Sequence, residues 1–149
     1  MSEYDIFPID FVNRTRTNLE KYCGKYEVTN LINCCLGLII LPKQNLNNDE
    51  LSKYVFDNKD NSFGITKSNI YLEENSKFDL SNVLRHIRNG IAHGRIDQKT
   101  QNGEIVGLRI HDKQKESANN NFVIEFSIEE FKIFAVKVSD LFINNYGKI

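Results

Sequence analysis

The segment that decides the fold is D-L-S-N-V-L-R-H-I-R-N-G-I-A-H-G-R-I, which spans Asp79 to Ile96. Its apolar residues recur at the spacing of an α-helix with about 3.6 residues per turn, so they share one face. They are Val83, Leu84, Ile87 and Ile91. Asp79 is a residue type that caps helix N-termini, and Gly94 is typical of a helix end. The sequence therefore predicts a helix from Leu80 to about Arg95 with one face in a core.

The other side of this helix is the most basic part of the chain. It holds half of the six arginines and two of the three histidines, and no acidic residue lies between Asp79 and Asp97. On a helical projection the histidines form one stripe, the arginines form another, and a short residue lies between them. We call this set the polar arc: Arg85, His86, Arg88, Asn89, Ala92, His93 and Arg95. Such a patch attracts phosphate groups.

These residue types suit the cleavage of RNA. Imidazole has a pKa of about 6.5 and can accept or donate a proton near neutral pH. Arginine stays charged and binds phosphate oxygens, while the 2′-hydroxyl of RNA is a nucleophile next to the phosphodiester. Arg88 followed by His93 is an R-x4-H spacing, of which chance alone gives roughly 0.12 instances in a chain of this composition. The spacing is therefore a weak signal without its helical context.

The hexapeptide R-N-G-I-A-H, from Arg88 to His93, resembles the R-x4-6-H motif of the HEPN superfamily, in which a polar residue follows the arginine. These are small helical domains of prokaryotic toxins, phage-defence proteins and CRISPR effectors. The stretches D-F-V-N-R-T-R-T-N-L-E and Y-E-V-T-N-L-I-N-C-C-L-G-L-I-I-L-P also resemble a plasmid- and defence-associated branch. The resemblance implies a homodimeric, metal-independent ribonuclease without a cofactor, whose composite site lies on a two-fold axis. It implies Arg88 and His93 as the catalytic pair and Asn89 as a polar helper.

Other residues are candidates for contacting substrate. The projection places Arg85, His86 and Arg95 on the polar arc. Arg85 and Arg95 would contact the RNA backbone or be surface charges, and His86 would contact a phosphate or a base. A half-buried supporting role for His86 fits the sequence equally well. His86 and His93 lack a third ligand at suitable spacing, so no metal site is predicted.

The second predicted helix offers two more candidates for substrate binding. Asn30 and Asn33 lie on one side of it together with Tyr26 and Gly37, and we expect both asparagines to face the functional site. The alternative is that this side is an ordinary contact between packed helices.

The rest of the chain indicates a single domain over residues 1–149. Apolar spacing, proline stops and β-branched runs predict the elements. They are a first helix over Ile9–Tyr22, a second over Tyr26–Leu41 stopped by Pro42, a polar connection over 43–78, a β-hairpin of Gly103–Ile110 and Phe122–Phe126, and a last helix over Ile128–Tyr146. Ser127 and Glu130 form a capping-box pattern at the start of the last helix. The expected fold is mainly α: a HEPN-like bundle of about four main helices with one β-hairpin before the last helix.

Composition narrows the functional classes. Nineteen Lys and Arg balance twenty Asp and Glu, for a net charge of −1, so RNA contact must come from a local patch. Three cysteines make no disulfide framework, and we expect all three to be small core residues of a cytoplasmic protein. The segment M-S-E-Y-D-I-F-P-I-D-F has no secretory pattern, and no apolar run predicts a membrane span. His111 is expected to be solvated in the hairpin loop.

The sequence thus predicts a metal-independent endoribonuclease that cleaves single-stranded or loop RNA by attack of the 2′-hydroxyl. The resemblance adds a toxin or phage-defence role with an antitoxin or defence-system partner. Two alternatives stay open at this point. The first is a non-catalytic HEPN-like module that binds RNA or nucleotide or only dimerises, and the second is an interaction protein whose basic arc contacts an acidic partner.

Overall fold

The structure, a computed structural model, describes residues 7–22, 24, 27–45 and 48–145. These residues form five α-helices and four strands instead of a helical bundle with one hairpin. The elements are α1 (Phe7–Lys21), α2 (Glu27–Asn45), α3 (Asn48–Leu51), a 3₁₀ turn (Lys67–Asn69), β1 (Ile70–Leu72), α4 (Leu80–Ala92), β2 (Ile96–Gln101), β3 (Glu104–Asp112), β4 (Phe122–Ser127) and α5 (Ile128–Asn145).

The four strands form one antiparallel sheet in the order β1-β4-β3-β2. The predicted hairpin is confirmed as β3 and β4, with Ile110 opposite Ile124. The prediction of a mainly α fold was wrong, because β1 and β2 extend this hairpin on both sides into a four-stranded sheet. β1 is only three residues long, and β2 is exposed at every position after Ile96, so neither shows the alternation that marks a strand in sequence.

One face of the sheet packs against α4 and α5. The strand residues on that face are apolar and fully or nearly fully buried: Ile70, Leu72, Leu108, Ile110, Phe122, Ile124 and Phe126. α2 packs on α5 and α4, and α1 packs on α2. The core therefore lies between the sheet and the helices, and α4 sits directly on β3.

Local capping explains where the two sheet-packing helices begin. Asp79 accepts a hydrogen bond from the backbone N–H of Asn82 at 2.8 Å, as the N-cap prediction requires. Ser127 and Glu130 form the predicted capping box, with hydrogen bonds of 2.7 and 3.1 Å. α4 ends at Ala92 and not near Arg95, and Gly94 turns the chain toward β2 with a positive φ of 69°.

The N-terminal helices follow the prediction except at Pro42. The predicted stop at Pro42 was wrong: α2 continues to Asn45, although a proline removes one backbone donor and disfavours the helix. Cys34 and Cys35 are buried, as expected, whereas Cys23 and Tyr26 lie outside the described residues. None of the helices in the described ranges combines the length and apolar content that a membrane span requires.

The region predicted as a polar connection over 43–78 contributes to the core. Phe56 and Phe63 are buried and pack edge to face with ring centroids 5.6 Å apart. Both rings also contact Phe134 of α5. The prediction was wrong here because the apolar residues of this segment occur singly or in runs of at most three between polar stretches, so no periodicity marks them.

Candidate functional site

One edge of α4 is exposed to solvent. It consists of residues at successive helical spacings and of the residue that caps the helix C-terminus: Arg85, Arg88, Asn89, Ala92 and His93. We call these five residues the exposed edge. It contains the whole R-x4-H motif, so the structure presents both predicted catalytic residues on the surface.

Arg88, Asn89 and His93 have no side-chain hydrogen bond or ion pair with any other residue in the described part of the chain. The backbone around them is fixed, because the N–H of His93 donates to the carbonyl of Asn89 at 3.1 Å and the N–H of Gly94 donates to that of Ile91 at 3.0 Å. The pKa of Glu116 in the loop after β3 is lowered mainly by its hydrogen bond with Arg95 and least by His93. Besides Arg85, the exposed edge therefore offers one guanidinium, one amide and one imidazole to a ligand.

His86 does not belong to this surface. It is buried, its Nδ1 lies 2.8 Å from Oδ2 of Asp112, and its ring stacks on Phe122 at 4.8 Å. Nη2 of Arg85 lies 3.1 Å from Nε2 of His86, and since a guanidinium only donates, Nε2 accepts and Nδ1 donates its proton to Asp112. Burial lowers the pKa of His86, and the hydrogen bond with Asp112 opposes that effect only in part. The placement of His86 on the polar arc was wrong, because the sheet covers that side of the helix.

Arg95 is also buried and paired. Its Nη1 donates to Oδ1 of Asp112 at 3.1 Å and to the carbonyl of Lys113 at 3.2 Å, and its Nη2 contacts Glu116 at 2.7 Å. The predicted surface position of Arg95 was wrong, because the helix ends at Ala92 and the seven-residue repeat from Arg88 no longer applies. A contact between Arg95 and RNA stays a prediction. Asp112 was missed, since no local sequence pattern links it to His86.

Arg85 stays on the exposed edge, where its guanidinium is held. Nη2 donates to Oδ1 of Asn82 at 2.7 Å as well as to His86. It also lines an open polar groove with Lys77, Ser76 and other residues near the start of α4. Its position agrees with the predicted contact to an RNA backbone, which stays a prediction.

Asn30 and Asn33 line an open cleft of about 320 Å³ whose lining residues all belong to α1 and α2. Oδ1 of Asn30 accepts a hydrogen bond from Nδ2 of Asn18 at 3.1 Å. Asn30 thus makes a contact between packed helices, which is the alternative that the sequence left open. No residue of the exposed edge lines this cleft, and a substrate-binding role for the two asparagines stays a prediction.

His111 is not solvated in a loop as predicted. It lies on β3 opposite Val123 and is partly buried, and its Nδ1 is buried without a hydrogen-bond partner among the described residues. Burial lowers its pKa. No three His, Cys, Asp or Glu side chains cluster as metal ligands within the ranges that the structure covers.

Comparison of the sequence with models of known protein families identifies a family. The family model described as HEPN pEK499 p136 matches residues 1–149, which is the whole chain. No curated protein and no solved structure matches it. The full-length match confirms the superfamily that the motif helix resembles: the chain belongs to the HEPN family pEK499 p136.

Proposed function

We propose that this protein is a metal-independent endoribonuclease that cleaves single-stranded or loop RNA by attack of the 2′-hydroxyl. Membership of a HEPN family indicates an RNA-related or defence module. The proposal adds the reaction, the residues that perform it and the homodimeric state.

One observation is the main support. Of the polar residues on and just after α4, those of the R-x4-H motif are exposed and unpaired in the described structure, whereas His86 and Arg95 are buried and paired. Structural polar residues bond to their own protein, because unpaired burial is costly. Polar groups left open beside one another are suited to bind an external ligand.

The chemistry follows from these groups. His93 accepts the proton of the 2′-hydroxyl as its oxygen attacks phosphorus, and the P–O5′ bond breaks. A second imidazole, in its protonated form, gives its proton to the leaving 5′-oxygen. Arg88 binds the phosphate oxygens as negative charge builds up, and Asn89 supplies a neutral hydrogen bond. The products are a 2′,3′-cyclic phosphate and a 5′-hydroxyl.

The need for two imidazoles supports a homodimer. Each chain exposes one motif histidine, because both nitrogens of His86 are occupied by Arg85 and Asp112. A two-fold axis beside the exposed edge supplies the second imidazole, His93 of the partner subunit. Ala92 has a short side chain, which permits close approach there. Such an activity endangers its own cell, which fits a toxin or phage-defence role with an antitoxin or defence-system partner.

The test is cleavage of single-stranded RNA in EDTA by wild type, His93→Ala and His111→Ala. The third variant removes a histidine from β3, outside the exposed edge, and is the matched control. We expect wild type and His111→Ala to leave cyclic phosphate ends, and the rate of His93→Ala to fall by about 10²–10⁴-fold.

Three outcomes would contradict the proposal. Equal cleavage by wild type and His93→Ala would remove His93 from the mechanism. Dependence on an added divalent ion would replace the mechanism with a metal-assisted one. RNA binding without cleavage by any variant would favour the non-catalytic module.

A further inference from the structure

The carboxylate of Asp112 contacts the chain on both sides of the motif. Its Oδ2 accepts from Nδ1 of His86, two residues before Arg88, at 2.8 Å. Its Oδ1 accepts from Nη1 of Arg95, two residues after His93, at 3.1 Å, and from the N–H of Lys113 at 2.9 Å. Asp112 itself is only 4% exposed.

The backbone between these two contacts also lies against β3. The N–H of Arg95 donates to the carbonyl of Gly90 at 2.7 Å, and the N–H of His111 donates to the carbonyl of Arg95 at 3.1 Å. Arg88 and His93 have no side-chain partner that orients them in the described structure. Their positions therefore depend on how firmly the end of α4 and the following turn are held.

We infer that Asp112 is a positioning residue for the proposed ribonuclease centre, holding the end of α4 and the turn after it so that Arg88 and His93 keep a fixed relative position. This inference rests on the proposed function for its effect on catalysis. Asp112 does not touch the reacting groups and acts through His86 and Arg95.

Asp112→Asn tests the inference at nearly constant volume. The substitution removes one of the two negative charges that pair with buried Arg95, and leaves the exposed Glu116 as the other. It also places an amide donor or an uncharged acceptor beside His86. If the amide N–H faces His86, the imidazole must carry its proton on Nε2 instead of Nδ1. Two donors, Nε2–H and the guanidinium of Arg85, then face each other. The variant therefore weakens the contacts on both sides of the motif.

The matched control is Asp140→Asn. It weakens another arginine–aspartate pair, the more exposed contact of Arg16 with Asp140 at 2.7 Å between α1 and α5. We expect Asp112→Asn to lower kcat for RNA cleavage by about tenfold to a hundredfold with KM changed less than about threefold, because small displacements of catalytic groups reduce the rate more than binding. Asp140→Asn should leave both constants near wild type. Equal kcat in wild type and a folded Asp112→Asn would overturn the effect on catalysis.

Amide hydrogen exchange gives a readout that does not need activity. In Asp112→Asn we expect the N–H groups of His93 and Arg95 to exchange about tenfold faster or more, and those of α5 to keep wild-type rates. Unchanged exchange at His93 and Arg95 would overturn the inference. Equal acceleration in α5 would do so too, because it indicates a general loss of stability. If wild type does not cleave RNA, the proposed function fails, and the exchange data still decide whether Asp112 holds the turn.

Discussion

Gly90 leaves no room for a Cβ between α4 and β3, and replacing it with alanine should destabilise the protein. A Cβ built at residue 90 lies 2.5 Å from the backbone oxygen of His111 and 2.8 Å from Cγ2 of Ile110. The distance from this Cβ to the backbone oxygen of His111 is shorter than Cβ contacts observed in proteins, and a backbone carbonyl cannot rotate away as a side chain can. The helix or the strand must therefore shift.

The magnitude combines two opposing terms. Alanine favours the helix over glycine by about 1 kcal/mol. Overpacking of a well-packed site costs about 1–3 kcal/mol, and contact with backbone places Gly90→Ala at the upper end. The net expectation is a loss of about 2 kcal/mol in the free energy of unfolding, or roughly 4–8 °C in Tm for a chain of this size.

Gly37→Ala is the matched control, since Gly37 is also within a helix. A Cβ placed at residue 37 lies 3.3 Å from Cζ of Phe11, a side-chain atom that can give way. Replacing a helical glycine with alanine gives the same gain in helix propensity here, so the free energy of unfolding of Gly37→Ala should be unchanged or up to about 1 kcal/mol higher. Urea denaturation monitored by circular dichroism measures both. Gly90→Ala as stable as Gly37→Ala would refute the packing argument.

Two further predictions concern the dimer and the response to pH. Ala92→Arg should convert the proposed dimer to monomers, because a long cation then occupies the middle of the exposed edge. Light scattering measures the change, and Asn61→Arg on an exposed loop is the control that should stay dimeric. A dimer that survives Ala92→Arg counts against the two-fold axis at this edge. Burial lowers the pKa of His86 in the folded chain, so below an unfolded pKa of about 6.5 the unfolded chain binds a proton that the folded chain does not. The free energy of unfolding should therefore fall as the pH drops from about 7 to 5. In urea titrations His86→Gln should reduce this pH dependence and leave only the contribution of His111, whose pKa is also lowered. An equal pH dependence in both proteins would show that His86 does not cause it.

The parts of the fold that were predictable have local signals. The N-cap of α4 and the capping box of α5 depend on residues within four positions of each other, and both were confirmed. The β3–β4 hairpin has β-branched and aromatic runs on both sides of a polar loop. Such patterns are complete within a short window of sequence.

The errors came from structure that depends on distant neighbours. I-D-Q-K-T-Q becomes β2 only because β3 offers hydrogen bonds along its edge. His86 is buried because Asp112 and Phe122, both beyond β2 in sequence, surround it. Arg88, Asn89 and His93 lie on the predicted surface because no such neighbour covers them in the described structure. The motif could be predicted, and its supporting residue Asp112 could not.

The strand order has a consequence for the sequence of folding events. β1 comes before α4 in the chain, yet it pairs with β4, so closing this edge requires a loop that contains α4, β2 and β3. That loop costs more chain entropy than the β3–β4 turn, which favours the hairpin as the earlier structure. A helix of 13 residues such as α4 is only marginally stable alone in water. During synthesis the motif leaves the ribosome before the hairpin does, so the nascent chain acquires a defined exposed edge only after residues 104–127 have been made and folded.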